Sequence, residues 1–155
     1  MRSVCLYGGS FNPPHVCHVL ASAWALSVLP IEELWWIPTF QHAFGKSLAP
    51  YETRAAMCEA AIAPLGDRVS VDRIEAELGG TSRTLDTVRA LEDRFPDVRF
   101  SLLIGADLLP QTASWKGWPE LEARCRVYVI GREGHLGGEG GDAIRLPDVS
   151  STDIR

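Results

Sequence analysis

The hydrophobic positions of this chain fall into two rhythms that take turns. Residues Arg2–Tyr7 form a short apolar run ending at Gly8-Gly9, and His15–Val28 carries Val19, Leu20, Ala23, Trp24 and Leu26 at helical spacing. That order predicts strand, glycine turn, helix. A second strand, Glu33–Pro38, stops at a proline, and after an irregular segment the alanine-rich run Tyr51–Ala63 predicts a helix. The alternation continues with a strand near Arg68–Asp72, a helix near Thr84–Phe95 and a strong strand at Val98–Ile104. A short helix after Asp107, another over Pro119–Arg124 and an apolar strand at Arg126–Ile130 follow. The segment Gly131–Gly141 holds six glycines and is expected to be a mobile surface loop. Strands alternating with helices predict an α/β domain whose mainly parallel sheet is covered on both faces. In such doubly wound sheets ligands bind beyond the carboxyl ends of the strands. No linker or internal repeat interrupts the pattern, so residues 1–155 are expected to form one domain.

Composition narrows the partners. The chain is 46% hydrophobic and 23% charged, an ordinary globular balance, and its formal charge is -5 with no Lys/Arg-rich run. Neutralising many phosphates needs clustered basic residues, so nucleic acid is not expected as a partner. The apolar stretch at the N-terminus is too short for a signal peptide or a membrane span, which predicts a cytoplasmic protein with no membrane partner. Cys5, Cys17, Cys58 and Cys125 lack paired spacing and fit buried, reduced thiols. His15, Cys17 and His18 form one local cluster without a second ligand pair, a poor zinc signature, so no metal held by the protein itself is expected.

The first turn carries the strongest chemistry. Gly8-Gly9 after a strand is expected to turn the backbone with positive φ and to let a ligand approach closely, while the next helix directs free N–H groups at an anion. Pro13-Pro14 fixes the approach of the chain to that helix. His15 and His18, three residues apart, share a helix face and can both reach a group held in the turn. Such a pair stabilises charge building on a phosphoryl group or a leaving pyrophosphate without a protein nucleophile.

These residues also carry a family resemblance. Gly8-Gly9-Ser10-Phe11-Asn12-Pro13-Pro14-His15-Val16-Cys17-His18 resembles the GGxFxPxHxGH signature of adenylyltransferases that make dinucleotide cofactors, above all nicotinate or nicotinamide mononucleotide adenylyltransferase. Val149-Ser150-Ser151-Thr152-Asp153-Ile154-Arg155 is similar to that family's ISSTxIR motif, in which hydroxyls, helix-start N–H groups and a forked cation suit polyphosphate oxygens. Leu102-Leu103-Ile104-Gly105-Ala106-Asp107 resembles the IGxD segment, which implies that Gly105 and Asp107 meet the adenosine of ATP. Trp115-Lys116-Gly117-Trp118 resembles the WxxW stretch that lays a ring, here Trp115, on the pyridine base.

The remaining likenesses bear on specificity. Ser82-Arg83-Thr84-Leu85-Asp86-Thr87 resembles SYTxDT, a loop beside the pyridine carboxylate or amide, with Arg83 where tyrosine is usual. Arg83 there pairs with a carboxylate or points to solvent. His42 and Lys46 fall where the family places phosphate ligands, and the run on into Tyr51-Glu52-Thr53-Arg54-Ala55-Ala56-Met57 is similar to the YGKxxL…HRxxM segment of members that accept both mononucleotides. Arg132 resembles a family arginine near ATP, Cys17 stands where the family has glycine, and the family's last helix would follow Arg155.

The resemblance implies a Rossmann-like domain that condenses ATP with nicotinate mononucleotide, or also nicotinamide mononucleotide, and releases pyrophosphate. His18 and His15 would be catalytic. Gly8, Gly9, Ser10, Phe11, His15, His18, Gly105, Asp107, Arg132, Ser150, Ser151, Thr152 and Arg155 would hold ATP. Ser10, His42, Lys46, Thr84 and Trp115 would hold the pyridine mononucleotide, and Mg2+ would enter bound to the ATP phosphates. Two alternatives stay open: a phosphopantetheine-type nucleotidyltransferase, which has no use for Trp115, and a non-catalytic nucleotide-binding domain. Oligomeric state is not legible.

Overall fold

A computed structural model of the chain describes residues 1–41, 47–80, 83–132 and 145–146. In chain order the elements are β1 (Arg2–Gly9), α1 (Val16–Val28), β2 (Glu33–Pro38), α2 (Tyr51–Ile62) with a 3-10 turn (Ala63–Leu65), β3 (Val69–Val71) and α3 (Ile74–Leu78). They continue with α4 (Thr84–Arg94), β4 (Val98–Gly105), a 3-10 helix (Ala106–Ser114), α5 (Trp118–Arg124), β5 (Arg126–Arg132) and β6 (Arg145–Leu146). The strands form one sheet in the order β3-β2-β1-β4-β5-β6, and every neighbouring pair is parallel. The expected doubly wound α/β domain is therefore the observed one.

Strand alternation decides which side chains face which helices. Cys5, Leu34, Trp36 and Leu103 pack with Cys17, Ala21 and Ala25 of α1 and with Cys58 and Ile62 of α2. Val4, Leu6, Trp35, Ile37, Phe100 and Leu102 point to the other face, onto Ile74 of α3, Leu85, Val88 and Leu91 of α4, and Leu121 of α5. The register aligns Leu6 with Trp35 and Leu102, so each layer is continuous across the sheet centre. All four cysteines are free and buried, as their apolar settings predict, and burial pushes the Cys5 and Cys58 thiols up to about 12.

The structure departs from the sequence reading in particular places. The short helix α3 has too few apolar repeats to show a period; it is started by Asp72 Oδ1, which accepts the Ile74 N–H at 2.9 Å. Burial raises the Asp72 pKa despite that bond. The helix expected after Asp107 is a 3-10 helix from Ala106, with Pro110 inside it removing an N–H donor. β5 runs to Arg132, so the first residues of the Gly131–Gly141 segment are strand, and 133–144 lie outside the described residues. Among the described residues no helix is long and apolar enough to cross a membrane.

Candidate active site

The sheet order reverses between β1 and β4, and two clefts open at their carboxyl ends, sharing Gly8 and Gly9 as a wall. One, of about 160 Å³, holds His15, Cys17, His18, Gly105 and Asp107. The other, of about 250 Å³, holds Ser10, Thr39, Glu75, Arg83, Thr84 and Trp115.

Gly8 and Gly9 are not the turn. Both continue β1 in extended conformation beside Ile37 and Pro38, and neither has positive φ. A Cβ on Gly8 would come no nearer than 3.9 Å to Ile37 O, so what glycine provides here is bare backbone open to both clefts. The turn falls on Phe11, whose φ of 47° is in the left-handed region that side chains rarely adopt. Burial holds it there: Phe11 is 1% exposed and stacks on Trp36 at 4.7 Å and 3°. Its ring also meets the His18 ring edge-on at 4.8 Å.

The start of α1 then locks both imidazoles. His15 is the N-cap, with its Nδ1 accepting the Cys17 N–H at 3.2 Å, while His18 Nδ1 accepts the His15 N–H at 2.9 Å. A ring nitrogen that accepts carries no proton, so each neutral imidazole has its proton on Nε2 as a donor. The rings lie 3.9 Å apart at 31°. Further along, Ser22 Oγ donates to His18 O and accepts from the buried Trp36 Nε1, both at 2.8 Å, which ties the first turn of α1 to β2. Across the cleft, a Cβ on Gly105 would sit 2.5 Å from Asp107 Oδ1, so only glycine lets that carboxylate fold back at the end of β4.

The second cleft gathers side chains from separate elements. Glu75, 8% exposed, accepts the Phe40 N–H at 3.2 Å through Oε2, and its Oε1 lies 3.0 Å from the Thr87 hydroxyl. Trp115 packs edge-on against Trp118 at 5.4 Å. Gly117 at φ 65° lets this segment lie against α4, because a Cβ there would run into Leu85.

Behind the loops that follow β1 and β2, Arg54 is 1% exposed; among the described residues its hydrogen bonds all go to backbone carbonyls, and its guanidinium lies 5.4 Å from the centre of the Tyr51 ring. Nε donates to Ala49 O at 2.8 Å, Nη1 to Ser10 O at 2.9 Å and Thr39 O at 2.6 Å, and Nη2 to Phe40 O at 3.3 Å. One guanidinium thus pins the chain after β1 to the chain after β2. Asn12 adds a second tie, its Oδ1 accepting the Ala49 N–H at 3.1 Å.

With this geometry in view, the chain matches the cytidylyltransferase-like family over residues 6–155. It belongs to that family. Its similar relatives include the protein named probable nicotinate-nucleotide adenylyltransferase from Anaeromyxobacter sp. (strain K), 48% identical over 160 residues, covering 99% of this chain and 82% of the relative. The protein of the same name from Myxococcus xanthus (strain DK1622) is 41% identical, covering 98% of this chain and 80% of the relative. Among solved structures, Plasmodium falciparum nicotinic acid mononucleotide adenylyltransferase complexed with NaAD superposes with a TM-score of 0.80 at 20% identity, covering 99% of this chain and 80% of that one.

The residues singled out in this cytidylyltransferase-like domain divide by place. Gly8, Gly9, His15, His18, Gly105 and Asp107 share the smaller cleft, and Ser10, Thr84 and Trp115 share the larger. Phe11 lines neither; it is core that shapes the loop and backs His18. His42, Lys46, Ser150, Ser151, Thr152 and Arg155 lie outside the described residues, as does the side chain of Arg132. Cys17 is buried at the edge of the smaller cleft. Sequence reasoning missed Glu75 and gave Arg54 no role. The signal for Arg54 was an arginine on the inward face of an alanine-rich helix, where only a paired cation is tolerated.

Proposed function

We propose that the protein is a nicotinate-nucleotide adenylyltransferase that joins ATP to nicotinate mononucleotide and releases pyrophosphate. The observation that carries this reading is the pair of clefts back to back on Gly8-Gly9, one with two Nε2–H donors and one with an aromatic wall. A dinucleotide needs both: a seat for reacting phosphates and a slot for a flat ring. The names of the relatives from Anaeromyxobacter and Myxococcus support the same reaction.

In this reading a phosphate oxygen of the mononucleotide attacks the α-phosphorus of ATP in line. The new O–P bond forms as the bond to the β-phosphate oxygen breaks, and that electron pair leaves with pyrophosphate. No covalent enzyme intermediate is needed. His18 and His15 donate from Nε2 to oxygens whose charge grows in the transition state, held in place by the capping hydrogen bonds. Bare backbone at Gly8 and Gly9 allows close approach, and Asp107 meets the ribose. Trp115 faces the pyridine ring, with Ser10 and Thr84 beside it. His42, Lys46, Arg132, Ser150, Ser151, Thr152 and Arg155 complete the phosphate contacts.

Nucleotidyltransferases of this kind typically use a divalent metal. Among the described residues no three carboxylate, histidine or cysteine side chains converge into a metal cage, and Asp107 is the carboxylate lining the phosphate cleft. That donor set suits Mg2+ carried in on the polyphosphate, where it would neutralise charge. Residues 1–155 act as a single nucleotidyltransferase domain, and unpaired buried thiols agree with a cytoplasmic setting. The test is pyrophosphate release from ATP on adding nicotinate mononucleotide, with formation of the dinucleotide. ATP turnover without dinucleotide, or turnover only with phosphopantetheine, would overturn the reading.

A further inference from the structure

The larger cleft contains a charge that the reaction itself does not call for. Its walls are largely apolar, with Leu6, Leu102 and Trp115, and the ionisable side chains lining it are Glu75, Arg83 and Lys116. Two of these are committed. The Glu75 carboxylate is held by the Phe40 N–H and lies against the Thr87 hydroxyl, and Lys116 Nζ sits 3.2 Å from both carboxylate oxygens of Asp86. Arg83 is not: its carbonyl accepts the Thr87 N–H at 3.1 Å, fixing its backbone at the start of α4, but no hydrogen bond or ion pair joins its guanidinium to a described residue.

The balance of charge gives this a direction. A buried carboxylate such as Glu75 disfavours an anionic ring substituent nearby and favours a neutral one that donates. A guanidinium in the same cleft reverses that preference, because its planar fork matches a carboxylate and cannot be deprotonated. We propose that Arg83 sets the substrate choice of this cleft, binding the carboxylate of the nicotinate ring and so selecting the acid mononucleotide over the amide. This rests on the mononucleotide adenylyltransferase reading and adds a specificity-determining residue to it. Arg83 lies on the ring side of Gly8-Gly9, so its loss is felt in recognition of the ring substituent and not in transfer at the α-phosphorus.

The experiment compares kcat and KM of the wild type, Arg83→Gln and Arg83→Lys, each with ATP and either nicotinate or nicotinamide mononucleotide. Arg83→Gln is expected to raise KM for the acid about 10- to 100-fold, the cost of one charge-assisted hydrogen bond, while kcat/KM for the amide holds or rises. Arg83→Lys keeps a cation but not the fork, and is expected to keep part of the preference. An unchanged acid-to-amide ratio, or an equal loss on both substrates as a general phosphate contact would give, overturns the assignment of Arg83. A wild-type protein inactive with both mononucleotides overturns the underlying reading instead, so the two failures are told apart.

Discussion

The two clefts that meet at Gly8-Gly9 are built in opposite ways. On the phosphate side a single stretch of chain, from Phe11 to Ser22, supplies both imidazoles, and their Nδ1 atoms both accept backbone N–H groups of that same stretch. On the ring side Ser10, Glu75, Thr84 and Trp115 come from four separate segments and meet only because the sheet brings them together. Hydrogen bonds within one turn set the first geometry, backed from β2 by the Phe11–Trp36 stack and the Ser22–Trp36 hydrogen bond; the second rests on packing between separate elements and tolerates exchange. Chemistry common to many nucleotides is thus on the rigid side, and recognition of one substrate is on the adjustable side.

Substitutions can break this contrast or sharpen it. The largest effect is expected from His18→Ala, which removes an Nε2 donor and unmakes the capping box: kcat should fall about a hundredfold to ten-thousandfold, with KM for the mononucleotide little changed. Arg54→Ala removes the clamp between the chain after β1 and the chain after β2 and leaves buried carbonyls unanswered, so unfolding by denaturant should show a loss of about 3–4 kcal/mol. Trp115→Ala is the mirror of the His18 change, raising KM for the mononucleotide about tenfold, the scale of one ring stack, while kcat stays close to wild type. Ser22→Ala should cost about 1 kcal/mol of stability, because the buried Trp36 N–H loses its acceptor. Smallest of all is Tyr51→Phe. Among the described residues the buried Tyr51 hydroxyl has no hydrogen-bond partner, and its pKa is pushed up to about 12 by burial, so a thermal melt should show Tyr51→Phe at or slightly above wild-type stability.

How much of this was legible in the sequence follows the same contrast. Helix and strand periods located the long elements, and the strand-turn-helix order put His15 and His18 at a helix start, because those signals are local. Gly8-Gly9 pointed to the right place for a wrong reason: the pair reads as a turn, yet the left-handed residue is Phe11, held by stacking on Trp36 from β2. No local pattern announces a φ that a distant ring imposes. α3 was invisible because five residues are too few for a period, and Glu75 was lost with it. Arg54 could be noticed but not interpreted, since its partners Ser10, Thr39, Phe40 and Ala49 converge only in the folded chain.

The division of labour between the clefts is tested most directly by a single turnover with enzyme in excess over ATP and with nicotinate mononucleotide saturating, following dinucleotide and pyrophosphate together. The account predicts one dinucleotide per pyrophosphate, formed slowly by His18→Ala and at close to the wild-type rate by Trp115→Ala once enough nicotinate mononucleotide is supplied. His18→Ala turning over at the wild-type rate, or Trp115→Ala remaining slow at saturation, would contradict it.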